Sequence, residues 1–142
     1  MNNKVIDKNF DVQSIGINVT PNIAFGFISK PANLPLWTNA FSNANQTSAT
    51  MITPNGELKI ALETITSKKR GTVDWIMTLP DGSIGKAFSR ISENGADSIY
   101  SFVLQAPPVP LEQLEGALSA QIIVLAEELK KLKAILENKN LN

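Results

Sequence analysis

The chain has no cysteine and no histidine among its 142 residues. Without cysteine there is no disulfide and no thiolate nucleophile, and without either residue the common zinc sites are excluded. The missing histidine also removes the side chain that most often moves protons near neutral pH. An excess of one charge is absent too. Thirteen basic and thirteen acidic residues cancel, which withdraws the electrostatic reason to expect DNA, RNA or an anionic membrane as partner. No apolar run approaches the ~18 residues of a membrane span, and the N-terminal MNNKVIDKNF lacks the apolar core of a secretion signal. The chain therefore reads as soluble and cytoplasmic, with no membrane insertion. Its eight glycines form neither G-x-G-x-x-G nor a Walker pattern, so no nucleotide motif is present. Nothing in the composition calls for a metal or a cofactor.

What is present is a long helical pattern from Pro110 to Glu137. Leu111, Leu114, Leu118, Ile122, Leu125, Leu129, Leu132 and Leu136 follow in steps of three or four, so they share one face of a helix. At about 1.5 Å per residue such a helix is roughly 40 Å long. Pro110 suits its first turn and Ala106-Pro107-Pro108-Val109-Pro110 separates it from the preceding sheet. Glu112 and Glu115 suit its positive end, and Lys130, Lys131 and Lys133 the other, with Glu127 and Lys131 spaced to pair.

The segments before it alternate as strands. Asp11–Val19 alternates only in part: Ile15, Ile17 and Val19 share a face while Phe10 and Val12 have the opposite parity, so a bulge is expected near Ser14 or Gly16. Thr20-Pro21 starts a short helix, and Lys30–Leu34 a second helical turn. Phe41–Gln46, rich in Asn and Ser, reads as loop. Strands are expected over Thr47–Thr53, Leu58–Glu63, Val73–Leu79, Ile84–Ser92 and Ser98–Gln105, with turns at Pro54-Asn55-Gly56, Lys68-Lys69-Arg70-Gly71, Pro80-Asp81-Gly82-Ser83 and Glu93-Asn94-Gly95. The length fits a single domain over 1–142, with 1–9 and 138–142 expected to be flexible.

Two stretches carry a family likeness. Ile17-Asn18-Val19-Thr20-Pro21-Asn22-Ile23-Ala24-Phe25-Gly26-Phe27-Ile28 passes from strand into helix, and Leu34-Pro35-Leu36-Trp37 precedes the next strand. Followed by antiparallel strands and a long closing helix, they resemble the START-like (SRPBCC) superfamily, in particular its bacterial polyketide cyclase/dehydrase-like members. The likeness is diffuse but spans nearly the whole chain. It implies an α+β helix-grip fold: a curved antiparallel sheet wrapped around the long C-terminal helix, with two short helices after the first strand. It also implies a hydrophobic ligand held between sheet and helix, and in some members cyclisation, dehydration or ring hydroxylation. Members that rely on an active-site histidine or a metal have no counterpart in a chain without histidine.

Strand parity then gives candidate lining residues. Leu58, Ile60 and Leu62, Trp75 and Met77, and Tyr100 and Phe102 each share a face, and Trp37, Met51 and Phe88 join them. From the helix, Leu118, Ile122 and Leu125 should close the chamber. Leu111 and Leu114 would lie at its entrance, and Leu129 to Leu136 would form a packed end or a partner surface. Each large apolar residue is as readily simple core filling, but together they fit a chamber with few polar anchors. Tyr100 and Arg90 are the candidate catalytic groups, each able to polarise a carbonyl; Arg90 points inward only if Phe88 does, and outward if Ala87 and Ile91 face in. The carboxylates do not assemble a site: Glu63 and Asp74 oppose Leu62 and Trp75 in parity, Glu57, Asp81, Glu93 and Asp97 sit at turns, and Glu127 and Glu128 belong to a lysine-rich helix face. Binding of a small hydrophobic molecule is thus favoured. A cyclase- or dehydratase-type enzyme is the alternative, and a homodimerising module, paired through the far end of the helix, is a third.

Overall fold

The computed structural model describes residues 9–53, 55–106 and 111–139, apart from the side chains of 111–116 and 139. Its order is β1 (Phe10–Ile17), α1 (Pro21–Ile28), a 3-10 turn (Pro31–Asn33), α2 (Leu34–Trp37), β2 (Phe41–Ala44), β3 (Ser48–Thr53), β4 (Gly56–Ser67), β5 (Thr72–Thr78), β6 (Ile84–Asn94), β7 (Asp97–Gln105) and α3 (Leu111–Lys139). The strands make one antiparallel sheet in the order β1-β7-β6-β5-β4-β3-β2. Local hairpins build it from β2 to β7, and β1 returns to pair with β7. The sheet is curled, and α3 lies in its hollow against β1 and α2. Of the ends expected to be flexible, 1–9 and 138–142, and the proline run, residues 1–8, 107–110 and 140–142 lie outside the described residues, as do Pro54 and the side chains of Leu111 and Leu114; Asn138 and Lys139 belong to α3.

Local chemistry accounts for the short elements. Thr20 caps α1 through its hydroxyl, which accepts from Ile23 N at 3.3 Å, and Pro21 occupies the first turn, where its missing N–H is harmless. Asn33 Nδ2 donates to Phe27 O at 2.9 Å, tying the 3-10 turn back to the end of α1. Ser98, fully buried, donates from Oγ to Val19 O at 2.6 Å and so ties the entry of α1 to β7.

Two strand expectations need correction. β1 pairs with β7 without a register break, so there is no bulge. Its parity instead places Asp11, Gln13, Ile15 and Ile17 toward the hollow, and leaves Phe10 and Val12 exposed at 48% and 54%. The irregularity lies between Phe41 and Asn43 of β2, a segment expected to be loop. Phe41 is buried and anchors that strand, while its Asn and Ser residues face water.

The far half of α3 is core. Leu129, Leu132 and Leu136 are buried with Ile17, Val19 and Ile28 in one cluster that includes Trp37 and Tyr100. These leucines are thus packed within the chain and do not overhang the sheet. The charged side of this half clasps the sheet. Lys133 Nζ donates to Gly16 O at 2.8 Å and to Glu137 Oε2 at 2.6 Å, and Glu137 Oε2 also accepts from Asn18 N at 2.8 Å. Glu127 meets Lys130 at 3.9 Å rather than Lys131. Glu128 is not a freely solvated residue: it is half-buried and accepts from Asn39 N at 2.6 Å.

These two carboxylates respond to pH in opposite directions. The Lys133 hydrogen bond, helped by Asn18 N–H, lowers the Glu137 pKa. Its contribution is therefore complete above about pH 5 and is lost as pH falls through the folded-state value. Burial raises the Glu128 pKa, against the pull of Asn39 N–H and Lys131. Its charge opposes folding above that raised value, and the penalty disappears below the unfolded-state value. Glu128→Gln, which keeps an acceptor for Asn39, should raise the unfolding temperature at pH 7 but not at about pH 3.5. Glu137→Gln should lower it at pH 7 and flatten the acid limb. Thermal unfolding followed by circular dichroism from pH 3 to 8 checks both signs.

Candidate functional site

The inner face of the sheet follows from the ladders. Tyr100 of β7 sits between Ile15 and Ile91, Phe102 between Gln13 and Ser89, and Trp75 of β5 between Thr64 and Ala87. On β4, Ile60 and Leu62 are buried and Leu58 half-buried; Met51 and Met77 pack at the edges of the same cluster. Trp37 enters from α2. The aromatic rings touch in series: Trp37 and Tyr100 edge-on at 6.2 Å, Tyr100 and Phe102 edge-on at 6.3 Å, and Phe102 and Trp75 stacked at 6.1 Å. From α3, Leu118 and Leu125 are buried and Ile122 half-buried, with Leu125 in the shared cluster.

β6 settles the open question of facing. Ala87, Ser89 and Ile91 are buried on the inner parity, so Phe88 and Arg90 lie on the convex side, where Arg90 is exposed and Phe88 pairs with Asp74. Phe88 and Arg90 therefore do not line the hollow. Hydrophobicity alone misleads here, because the largest apolar side chain of this strand faces out. The inward residues are small for a reason the fold makes plain: Gly85, Ala87 and Ser89 run down the middle of a concave face already crowded by Trp75, Phe102 and Tyr100.

The polar groups of this face are few and specific. Ser89 Oγ donates to Val73 O at 2.6 Å. Gln13 Nε2 donates to Asp11 Oδ2 at 2.8 Å and to Ile122 O at 2.9 Å, joining β1 to α3. Asp11 is itself buried. By contrast, Trp37 Nε1, Trp75 Nε1, Thr64 Oγ1 and the Tyr100 hydroxyl are buried with no hydrogen-bond partner among the described residues. Leaving such a group unpaired costs about 1–3 kcal/mol, so each marks a place where a further hydrogen-bonding group, water or ligand, would be accommodated. Burial pushes the Tyr100 pKa up, the nearby Ser89 hydroxyl offsets a little of that, and the Asp74 carboxylate adds to it. Tyr100 is thus a neutral O–H donor at any ordinary pH. No lysine or arginine lies on the inner parity of the described strands. The site presents N–H and O–H donors among aromatic faces, with no cation from the described strands.

Asp11, Gln13, Thr64 and Ser89 are the site residues that sequence reasoning missed. A usable signal existed for the first two: strict alternation from Ile15 and Ile17 puts Gln13 and Asp11 on the same face, and the supposed bulge concealed it. Thr64 likewise shares parity with Ile60 and Leu62.

In sequence, no family model and no curated protein matches this chain. Solved structures do match it in three dimensions. The protein XoxI from Bacillus cereus superposes with a TM-score of 0.68 at 14% identity, covering 94% of this chain and 99% of that one. A START superfamily protein from Mycobacterium smegmatis gives 0.63 at 12% identity, covering 91% and 97%. DynU16, a putative protein in the dynemicin biosynthetic locus, gives 0.62 at 10% identity, covering 92% of this chain and 48% of that one. The chain has the START-like helix-grip fold. At these identities the likeness establishes architecture, and function has to be argued from the site. Among the described residues no helix is long and apolar enough to cross a membrane.

Proposed function

We propose that this protein binds a small, neutral, largely apolar molecule, aromatic or polyketide-like, in the hollow between the sheet and α3. The observation that carries this reading is the group of unpartnered donors, Trp37 Nε1, Trp75 Nε1 and the Tyr100 hydroxyl, set among aromatic rings. A ligand offering carbonyl, ether or phenolic oxygens would satisfy them while burying its rings against Phe102 and the helix leucines. At about 25 cal/mol per Å2 of apolar surface the burial supplies several kcal/mol before ordering costs. The absence of a facing cation on the described strands argues against a carboxylate-bearing lipid. The fold shared with a putative protein of a biosynthetic locus agrees with this ligand class. Native mass spectrometry of the purified protein, followed by organic extraction, should reveal a bound species of a few hundred daltons at one per chain. A chain that takes up no apolar molecule from a mixed aromatic and lipid library would refute the proposal.

One observation favours a catalytic version. A neutral Tyr100 hydroxyl in a dry site is able to stabilise charge developing on a substrate carbonyl, as a cyclase or dehydratase requires. Arg90, the other candidate, lies on the convex face and drops out. The one carboxylate on the inner parity of β1, Asp11, is engaged by Gln13. Binding without turnover is therefore the reading preferred.

A further inference from the structure

The basic run Lys68-Lys69-Arg70 plays no part in the chamber, yet the fold does not leave it as a loose tip. Gly71, at φ +76°, closes the turn: its N–H donates to Ser67 O at 2.8 Å, and its carbonyl accepts from Ile91 N at 2.8 Å. A side chain at Gly71 would place its first carbon 2.3 Å from Ile91 O, so the backbone of the tip is pressed directly against β6. This fastening brings Lys68, Lys69 and Arg70 to the same groove as Arg90, a space of about 570 Å3 between the hairpin and α1. Phe25 of α1 and Ile91 supply apolar walls, and Glu93 is the sole acidic residue at the rim. None of the four cations has a carboxylate partner among the described residues.

We propose that this groove binds a compact di- or triphosphate group carried by a small molecule. Four cations around one opening, opposed by a single carboxylate, match a concentrated anion rather than an extended one. A nucleic-acid strand requires cations spread along its length, whereas here the four line a single groove and the chain as a whole carries no net charge. Arginine at two of the four positions suits forked hydrogen bonding to phosphate oxygens. Phe25 and Ile91 would contact the organic part of the molecule. The groove opens on the outside of the core and does not depend on the chamber being a ligand site.

The test is calorimetric titration of the whole chain with sodium pyrophosphate, with amide NMR to locate the contact. Saturable one-to-one binding is expected, with shifts at Lys68–Gly71 and Arg90–Glu93. It should weaken by roughly tenfold or more in a Lys69→Ala/Arg90→Ala double variant, and weaken again as salt rises from about 0.05 to about 0.2 M. Glu93→Gln should tighten it, a gain that damage to the fold cannot imitate. Lys86→Ala, an exposed cation elsewhere on β6, should leave it unchanged. Absence of saturation, or equal affinity in the double variant, would overturn the proposal. So would capture by phosphatidylglycerol vesicles with no response to pyrophosphate, which would assign the cations to a lipid surface.

Discussion

Replacing Thr64 by Val and Tyr100 by Phe together should stabilise the ligand-free protein by about 2–4 kcal/mol, because each substitution deletes a buried hydroxyl that has no partner. For a chain of this size that corresponds to a rise of roughly 10 °C in the unfolding midpoint. The same double variant should bind the chamber ligand roughly 100-fold more weakly, since the deleted groups are the ones a ligand would satisfy. Opposite signs for stability and binding are what separates a binding site from a core. If these hydroxyls were simply structural, the variant would lose stability; if they were irrelevant, neither quantity would move. Differential scanning calorimetry of the extracted protein, beside titration with the molecule recovered from it, measures both.

The second large effect concerns the helix. Leu132 is fully buried in the main cluster. Leu132→Ala should therefore cost about 3–4 kcal/mol through lost burial and the cavity left behind. The loss should be independent of protein concentration, because the cluster lies within a single chain. Ile123, 68% exposed on the opposite side of the helix, should tolerate serine with a change below about 0.5 kcal/mol. Urea unfolding at two concentrations tenfold apart distinguishes this from the dimer reading, in which the Leu132 variant would instead dissociate.

Much of this architecture was legible because its determinants are local. The α3 stripe, the Thr20-Pro21 start of α1 and the Asp81-Gly82 turn are written in adjacent residues, and each appears where the pattern places it. The inner faces of β4, β5 and β7 were legible too, since Ile60, Leu62, Trp75, Tyr100 and Phe102 are the largest residues of one parity on their strands. Failures came where a non-local demand outweighed side-chain character. In β6 the hollow requires small groups, so Ala87 and Ser89 turn inward and Phe88 outward. In β1 the join to α3 uses Gln13, so a polar residue faces the hollow while Phe10 and Val12 do not. β2 exists because Phe41 reaches the core and β3 offers an edge, neither of which shows in a segment of Asn and Ser. The donors at Trp37, Trp75 and Thr64 were visible as residues, but their lack of partners is a property of the assembled interior alone.

The central claim, that buried donors around Tyr100 receive a ligand oxygen, is tested most directly through the two indoles. The chain has only two tryptophans, Trp37 and Trp75, so its indole N–H groups give two resolvable nitrogen-15 resonances. Titration of the extracted protein with the neutral naphthyl ketone prodan should move both resonances, saturate at one per chain, and shift the probe's emission to the blue. Movement should shrink at the same probe concentration in the Tyr100→Phe variant. Indole resonances that stay fixed while exposed positions such as Ile123 or Val12 respond would contradict the account.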